Sequence, residues 1–244
     1  MKRLWILAIL LIGGFASSIQ AQQYTGISGL VHVPTAEMSP KSNGRIGGHY
    51  LYQALTPDKV RFKGKEYNTF SHYVAFTPFS WIELSYTCVF KKGLDNNGKE
   101  AFTDRSWFTS AKIRAVKESE KWPAIAIGTQ NARDYFRKRD FKYYYVNSYI
   151  SATKHFDVAL GTLGTHLTYR QYENDDAQDQ WGGVVGGVTY KPNSVDNLIL
   201  SAEYNGDVII TSAQLKMWKY VVFQAILVDG IHFCGGVGLS LPLN

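Results

Sequence analysis

The chain has only two cysteines, Cys88 and Cys234, in 244 residues. Two cysteines do not make a disulfide framework, and neither sits in a CxxC or His-spaced pattern that would hold a metal. Charge is scarce as well: charged residues make up 19% and the formal net charge is +6. That balance is too modest and too scattered for a nucleic-acid surface, although it would favour an acidic partner. Past the N-terminus no apolar run approaches the roughly 20 residues a membrane helix needs. No stretch has a convincing helical period, and no internal repeat is visible. The hydrolase signature G-x-S-x-G is missing. The six histidines, His32, His49, His72, His155, His166 and His232, sit in no recognisable motif. Asp175, Asp176 and Asp179 form an acidic cluster without EF-hand spacing, best read as a solvated loop. These absences predict no catalytic residue, no metal, no cofactor and no enzymatic activity.

What is present begins with an export signal. Lys2 and Arg3 precede the apolar run Leu4 to Ala16, and "SSIQA" ends in the small residue Ala21 before a polar "QQ". Such a segment is a secretory signal peptide, too short to span as a helix. Cleavage is expected after Ala21, giving residues 1–21 as signal, 22–43 as a periplasmic lead-in and 44–244 as one domain. No cysteine lies beside the cleavage point, so the chain is not a lipoprotein.

The strongest signal in the mature chain is alternation. In "SWIELSYTCVF", Ile82, Leu84, Tyr86, Cys88 and Phe90 share one face, and Glu83, Ser85 and Thr87 the other. "NLILSAEYN" and "IHFCGGVGLSL" repeat the pattern. Strands are expected near 44–54, 68–76, 80–90, 104–116, 122–130, 142–152, 156–168, 181–191, 196–205, 207–217, 219–228 and 231–241. These are about twelve, an even number, and long enough to cross a bilayer. A soluble sandwich would also alternate, but with strands nearer 5–6 residues. Connections alternate long and short up to Pro192, as in a membrane barrel with long external loops and tight periplasmic turns. The fold class is therefore all-β: an antiparallel transmembrane β-barrel of the bacterial outer membrane. Aromatics are 14% of the chain. Tyr143 to Tyr145, Trp107, Trp122, Trp181, Trp218 and Tyr220 fall near strand ends, where girdles of amphipathic rings are expected.

Alternation also names the lumen. Inward positions include Glu83, Lys112, Arg114, Asn147, Tyr149, Glu203, Gln214, Lys216, Gln224 and His232. Two readings are open. Such residues pair with one another and fill a small barrel, or Lys112, Arg114 and Lys216 line a narrow basic channel that attracts acidic sugars. Glu203 is expected to face the lumen within salt-bridge reach of a Lys or Arg. The loop "NARDYFRKRDF" holds Arg133, Arg137, Lys138 and Arg139. On the outer face these would meet lipopolysaccharide phosphates or an acidic polymer, or they are simply solvated.

Several ordered segments resemble a known family. "GLVHVPTAEMSPKSNGRIG", "FTPFSWIELSYT", "DRSWFTSAKIRAVKESEKWPAIAIGTQN", "YISATKHFDVALGTLG" and "ILSAEYNGD" are together similar to the YjbH-type outer-membrane proteins associated with exopolysaccharide and capsule production. The resemblance covers most of the mature chain and marks a compact, single-barrel version. It implies an accessory role in assembly or export of a polysaccharide, with outer-membrane lipid, the polymer or its export machinery as partners. The alternative, from the lumen charges, is a narrow channel for small acidic oligosaccharides. Within this frame residues 29 to 40, with Pro34 and Pro40, would tuck into the barrel mouth or form a partial lead-in strand. Otherwise Leu30, Val31 and Val33 would be wet.

Overall fold

The computed structural model of the chain describes residues 20–57, 60–131 and 144–243. Most of the expected signal peptide, and the basic loop with Arg133, Arg137 and Arg139, lie outside the described residues. Twelve strands close into one antiparallel barrel. They are β1 (Asn43–Leu51), β4 (Thr69–Phe79), β5 (Ile82–Leu94), β6 (Glu100–Val116), β7 (Ala124–Gln130), β8 (Asn147–Val158), β9 (Gly161–Tyr172), β10 (Gly183–Pro192), β11 (Leu198–Tyr204), β12 (Ile209–Met217), β13 (Val221–Val228) and β14 (His232–Pro242). Each strand pairs with its barrel neighbours in sequence, and β1 closes the cylinder against β14 from Asn43↔Pro242 to Tyr50↔Gly235. Two further strands, β2 (Arg61–Phe62) and β3 (Lys65–Glu66), make a small hairpin in the first long loop. Its turn is Lys63-Gly64, both with positive φ, the backbone a two-residue hairpin demands.

The alternation decides which way each side chain points. Val74, Leu84, Tyr86, Ile127, Leu167, Val184 and Phe233 are exposed on the outer wall. Glu83, Ser85, Thr87, Lys112, Ser151, Thr168 and Arg170 are buried inside. An apolar outside around a polar inside is the reverse of a soluble barrel and defines a wall built for lipid. Cys88 is on the lipid-facing side, as expected, yet fully buried. It lies in the row between His72 and Trp107, whose rings meet edge-on at 5.2 Å.

The rims differ as the sequence predicts. On one rim the connections are 80–81, 117–123, 159–160, 193–197 and 218–220; on the other they include 52–68 and 173–182. The short-turn rim, where β1 begins and β14 ends, is periplasmic by the general rule for such barrels. One outer loop is helical where a plain loop is expected. Asp175–Trp181 forms a short helix whose N-cap Asn174 accepts a hydrogen bond from Ala177 N at 3.1 Å, with Asp175 and Asp176 in its first turn. A capping side chain and acids at the positive helix end explain that turn, and it is too short to leave a periodic signal.

Two aromatics expected in the girdles are instead inside. Trp181 is buried against His32 and Tyr172 (ring centroids 4.6 and 5.9 Å), and Tyr145 stacks on Phe108 at 4.8 Å. Trp181 sits where the outer loop 173–182 folds over the mouth, and Tyr145 turns inward just before β8, so proximity to a strand end misassigned them. Trp122 and Trp218, at periplasmic turns, are 69% and 58% exposed, as interface rings should be.

The N-terminal segment goes further than a tuck at the mouth. Residues 20–39 are almost all buried, and they run inside the barrel. Gln20 meets Gln214 near the periplasmic end of β12. Tyr24 and Val31 join a cluster with Leu51, Ile210, Ile226 and Val228 at the outer end. Ala36 returns to Ala124 and Ala126 at the periplasmic end. The segment therefore rises, turns and descends before entering β1. Gly26 (φ +86°) allows one bend: a Cβ there would also fall 2.4 Å from the Tyr73 ring. The wall yields space too, since a Cβ on Gly187 would sit 2.7 Å from Leu30 Cδ1.

Candidate functional site

A segment with two prolines and isolated bridges only (Gln22↔Ser28, Gly29↔Pro34) satisfies part of its own backbone, through bonds such as Gln23 N to Ile27 O and Leu30 N to Val33 O, and leaves the rest to others. Buried N–H and C=O groups nonetheless need partners. The lumen side chains supply them. Glu83, fully buried, accepts from Ser28 N (3.0 Å), Ser28 Oγ (2.7 Å) and Ser39 N (2.6 Å), so one carboxylate holds both legs of the inserted segment. It also pairs with Arg45 (3.1 Å) and Lys112 (3.0 Å). Lys112 Nζ in turn donates to the Ser28 and Glu37 carbonyls. Thr168 and Ser151 donate to the Pro34 carbonyl at 2.6 and 3.3 Å, and Thr153 accepts from Ala36 N at 3.0 Å.

At the outer end Glu203 accepts from His32 N (2.8 Å) and Val33 N (3.4 Å). It faces inward, as the strand register predicts. Its expected Lys or Arg partner is not there: among the described residues no ion pair includes Glu203. The turn of the inserted segment reaches this carboxylate first. Arg170, which the sequence reading did not single out, completes the outer end. Its guanidinium donates to the carbonyls of Trp181, His32 and Asn205, and to His32 Nδ1 at 3.2 Å. The signal available for Arg170 was its inward place in "LTYRQY" beside Thr168 and Tyr172.

Two further sequence candidates fall at the periplasmic end. Arg114 and Lys216 are half-buried there and touch neither Glu83 nor Glu203. Lys216 lines a small cleft with Gln22, Arg45 and Gln214. Asn147, Tyr149, Gln214 and Gln224 are buried inward, and His232 stacks on Tyr52 at 4.0 Å near the outer rim.

Arg114 borders a larger cavity of about 350 Å³ between the descending leg and the wall, lined also by Glu37, Lys117, Glu118, Thr153, His155 and Lys191. At its centre His155 bridges two carboxylates, Nδ1 to Glu118 Oε2 at 2.6 Å and Nε2 to Glu37 Oε1 at 3.1 Å. Burial works to raise the Glu37 carboxyl, but the His155 hydrogen bond and the charges of His166, His155 and Lys112 hold it below its ordinary value. Glu118, between His155 and Lys154, is lowered by the same balance. Sequence reasoning missed this cluster because its members come from the inserted segment, a periplasmic turn and β8. Among the described residues no group of His, Cys, Asp and Glu has the geometry of a metal site.

A closed, lipid-faced barrel whose lumen is filled by its own N-terminal segment defines a plugged outer-membrane β-barrel. A family model described as "Exopolysaccharide biosynthesis protein YbjH" matches residues 21–213. The chain belongs to this YjbH family. Curated proteins give no match. Among solved structures the chain is similar to the outer membrane phospholipase (OMPLA) dimer of Salmonella typhi with bound calcium, at 15% identity over 84% of this chain and 91% of that one, TM-score 0.35. It is likewise similar to outer membrane phospholipase A from Escherichia coli, at 15% identity over 82% and 95%, TM-score 0.35.

Proposed function

We propose that the chain is an accessory protein of exopolysaccharide or capsule assembly or export, acting as a closed scaffold in the outer membrane and not as a pore. The family supports the link to polysaccharide. The observation that carries the scaffold reading is the filled lumen: both legs of residues 20–42 are tied to the wall by Glu83, Lys112, Thr168 and Glu203. Lipid and lipopolysaccharide surround the barrel, and the polymer or its export machinery is the partner. In this reading the chain has no catalytic role, so purified protein should leave phospholipid and polysaccharide substrates intact.

The test has two arms. Deleting the gene should lower surface polysaccharide, and restoring it should return the polymer; unchanged polymer refutes the assignment. In planar bilayers the purified protein should show no steady conductance. A stable, anion-preferring conductance that falls when Lys112 and Arg114 are replaced would establish the narrow channel for acidic oligosaccharides instead.

A further inference from the structure

The cavity on the short-turn side has a charge balance that its own residues do not close. Two carboxylates line it, and both are already matched: Glu37 by His155, and Glu118 by His155 and Lys154. A ring that faces a carboxylate at each nitrogen donates to both only when it carries both protons. Arg114, Lys117 and Lys191 border the same space. Among the described residues none of the three pairs with an acid; Arg114 donates only to the Ser80 carbonyl, at 2.8 Å. Half-buried Arg114 and Lys191, with exposed Lys117, give the cavity a positive field that favours an anion.

A second demand comes from the opposite side. Glu37, a residue of the cavity wall, has Oε1 taken by His155, while its buried Oε2 has no hydrogen-bond partner among the described residues. An orphaned carboxylate oxygen beside a cavity needs a donor, and a hydroxyl is the donor that adds no charge. A ligand that satisfies both carries a carboxylate and several hydroxyl groups. The volume, about 350 Å³, falls at the lower end of small-ligand pockets, roughly 300–1,000 Å³, which suits a short saccharide.

We propose that this cavity binds a uronic-acid residue of a polysaccharide, its carboxylate on Arg114, Lys117 and Lys191 and its hydroxyls on Glu37 and the neighbouring threonines. The proposal rests on the exopolysaccharide reading and deepens it by naming the sugar class and the side of the membrane. The polymer meets the protein from the periplasm, before export.

Calorimetric titration of the full chain in detergent with a uronate disaccharide and with a neutral disaccharide of the same size tests it. The uronate should bind about tenfold or more tightly than the neutral sugar, the worth of one charge-assisted contact. Arg114→Ala with Lys191→Ala should bring the uronate down to the neutral level, whereas Glu37→Gln should weaken both sugars. Each variant is first checked for the heat-dependent gel mobility of a folded barrel. Lys216→Ala, outside the cavity, should bind like the parent. No binding of the uronate, or equal binding of both sugars, overturns the proposal. If the gene deletion still lowers polymer while cavity variants restore it fully, the site fails and the accessory role stands. If the deletion leaves polymer unchanged but the uronate binds as described, the site stands and the role fails.

Discussion

Replacing Glu83 by Gln probes the centre of the structure with almost no change of volume. The carboxylate is completely buried and accepts from two backbone N–H groups, one hydroxyl and two cations, all within 3.1 Å. A glutamine keeps one acceptor oxygen and turns an N–H₂ toward donors that have nowhere else to go. Lys112, itself fully buried, then keeps no ion-pair partner among the described residues and feels only the more distant charge of Glu37. Breaking one side of a buried pair costs about 3–5 kcal/mol, because the surviving charge stays desolvated. The orphaned Ser39 or Ser28 N–H adds roughly 1–3 kcal/mol. The larger single effect decides the expectation: a loss of about 3–5 kcal/mol.

The assay is urea unfolding of the refolded barrel in detergent, followed by tryptophan fluorescence and heat-dependent gel mobility. Arg61–Glu66, a hairpin pair with side chains 50% and 31% exposed, is the internal control. Its disruption by Glu66→Gln should cost at most about 1 kcal/mol. The double variant Glu83→Gln with Lys112→Met should recover part of the loss, since the stranded charge goes with its partner. A Glu83→Gln barrel within about 1 kcal/mol of the parent would refute the account of the lumen as a set of ties to the inserted segment.

Glu203→Gln, which retains one acceptor for the His32 and Val33 amides, should be milder at about 1–3 kcal/mol, whereas Tyr204→Phe on the outer wall should matter less. Combining Glu83→Gln with Glu203→Gln loosens both ends of the segment and should produce intermittent conductance in bilayers where the parent has none. Gly187→Val places a side chain against Leu30 and the Ala202 carbonyl and should cost about 1–3 kcal/mol through overpacking, partly relieved by Leu30→Ala. Glu37 and Glu118 are both held below the ordinary carboxylate value of 4.5. Depressed carboxylates give stability that is complete above their unfolded pKa and lost as pH falls through the folded one. The contribution of these two carboxylates should therefore be lost as pH falls below 4.5, lowering the unfolding midpoint there, and His155→Asn should flatten that acid limb; equal acid slopes in the two proteins would count against the cluster.

The wall was legible from the sequence because period two is a strong signal when one face meets lipid and the other does not. Glu83, Lys112, Glu203 and Gln214 all lie inside, and the side of each rim follows from loop length. What occupies the interior was less legible. "GLVHVPTAEMSP" reads as an odd, half-apolar stretch between prolines, and its demand for burial was visible in Leu30, Val31 and Val33. Its depth was not, because depth depends on partners drawn from many strands. The same reason explains Glu203, whose partner is a pair of amides 170 residues away. It also explains Trp181, which is set by a loop folding inward over His32.

The lumen charges therefore do not carry their usual meaning. Rings of cations in a pore select anions when water fills the space between them. Here the central charges face a polypeptide. Glu83 and Glu203 sit where the segment presents N–H groups, and Lys112 and Arg170 sit where it presents carbonyls. The sign of each charge follows the backbone polarity opposite it, which no transport field would require. The segment has no regular structure of its own, and without it Glu83, Lys112, Glu203 and Arg170 would each lose the backbone partners it supplies. Each is costly alone, so barrel and segment form one cooperative unit. Arg114, Lys117 and Lys191 gather at the periplasmic end, around the cavity beside the descending leg.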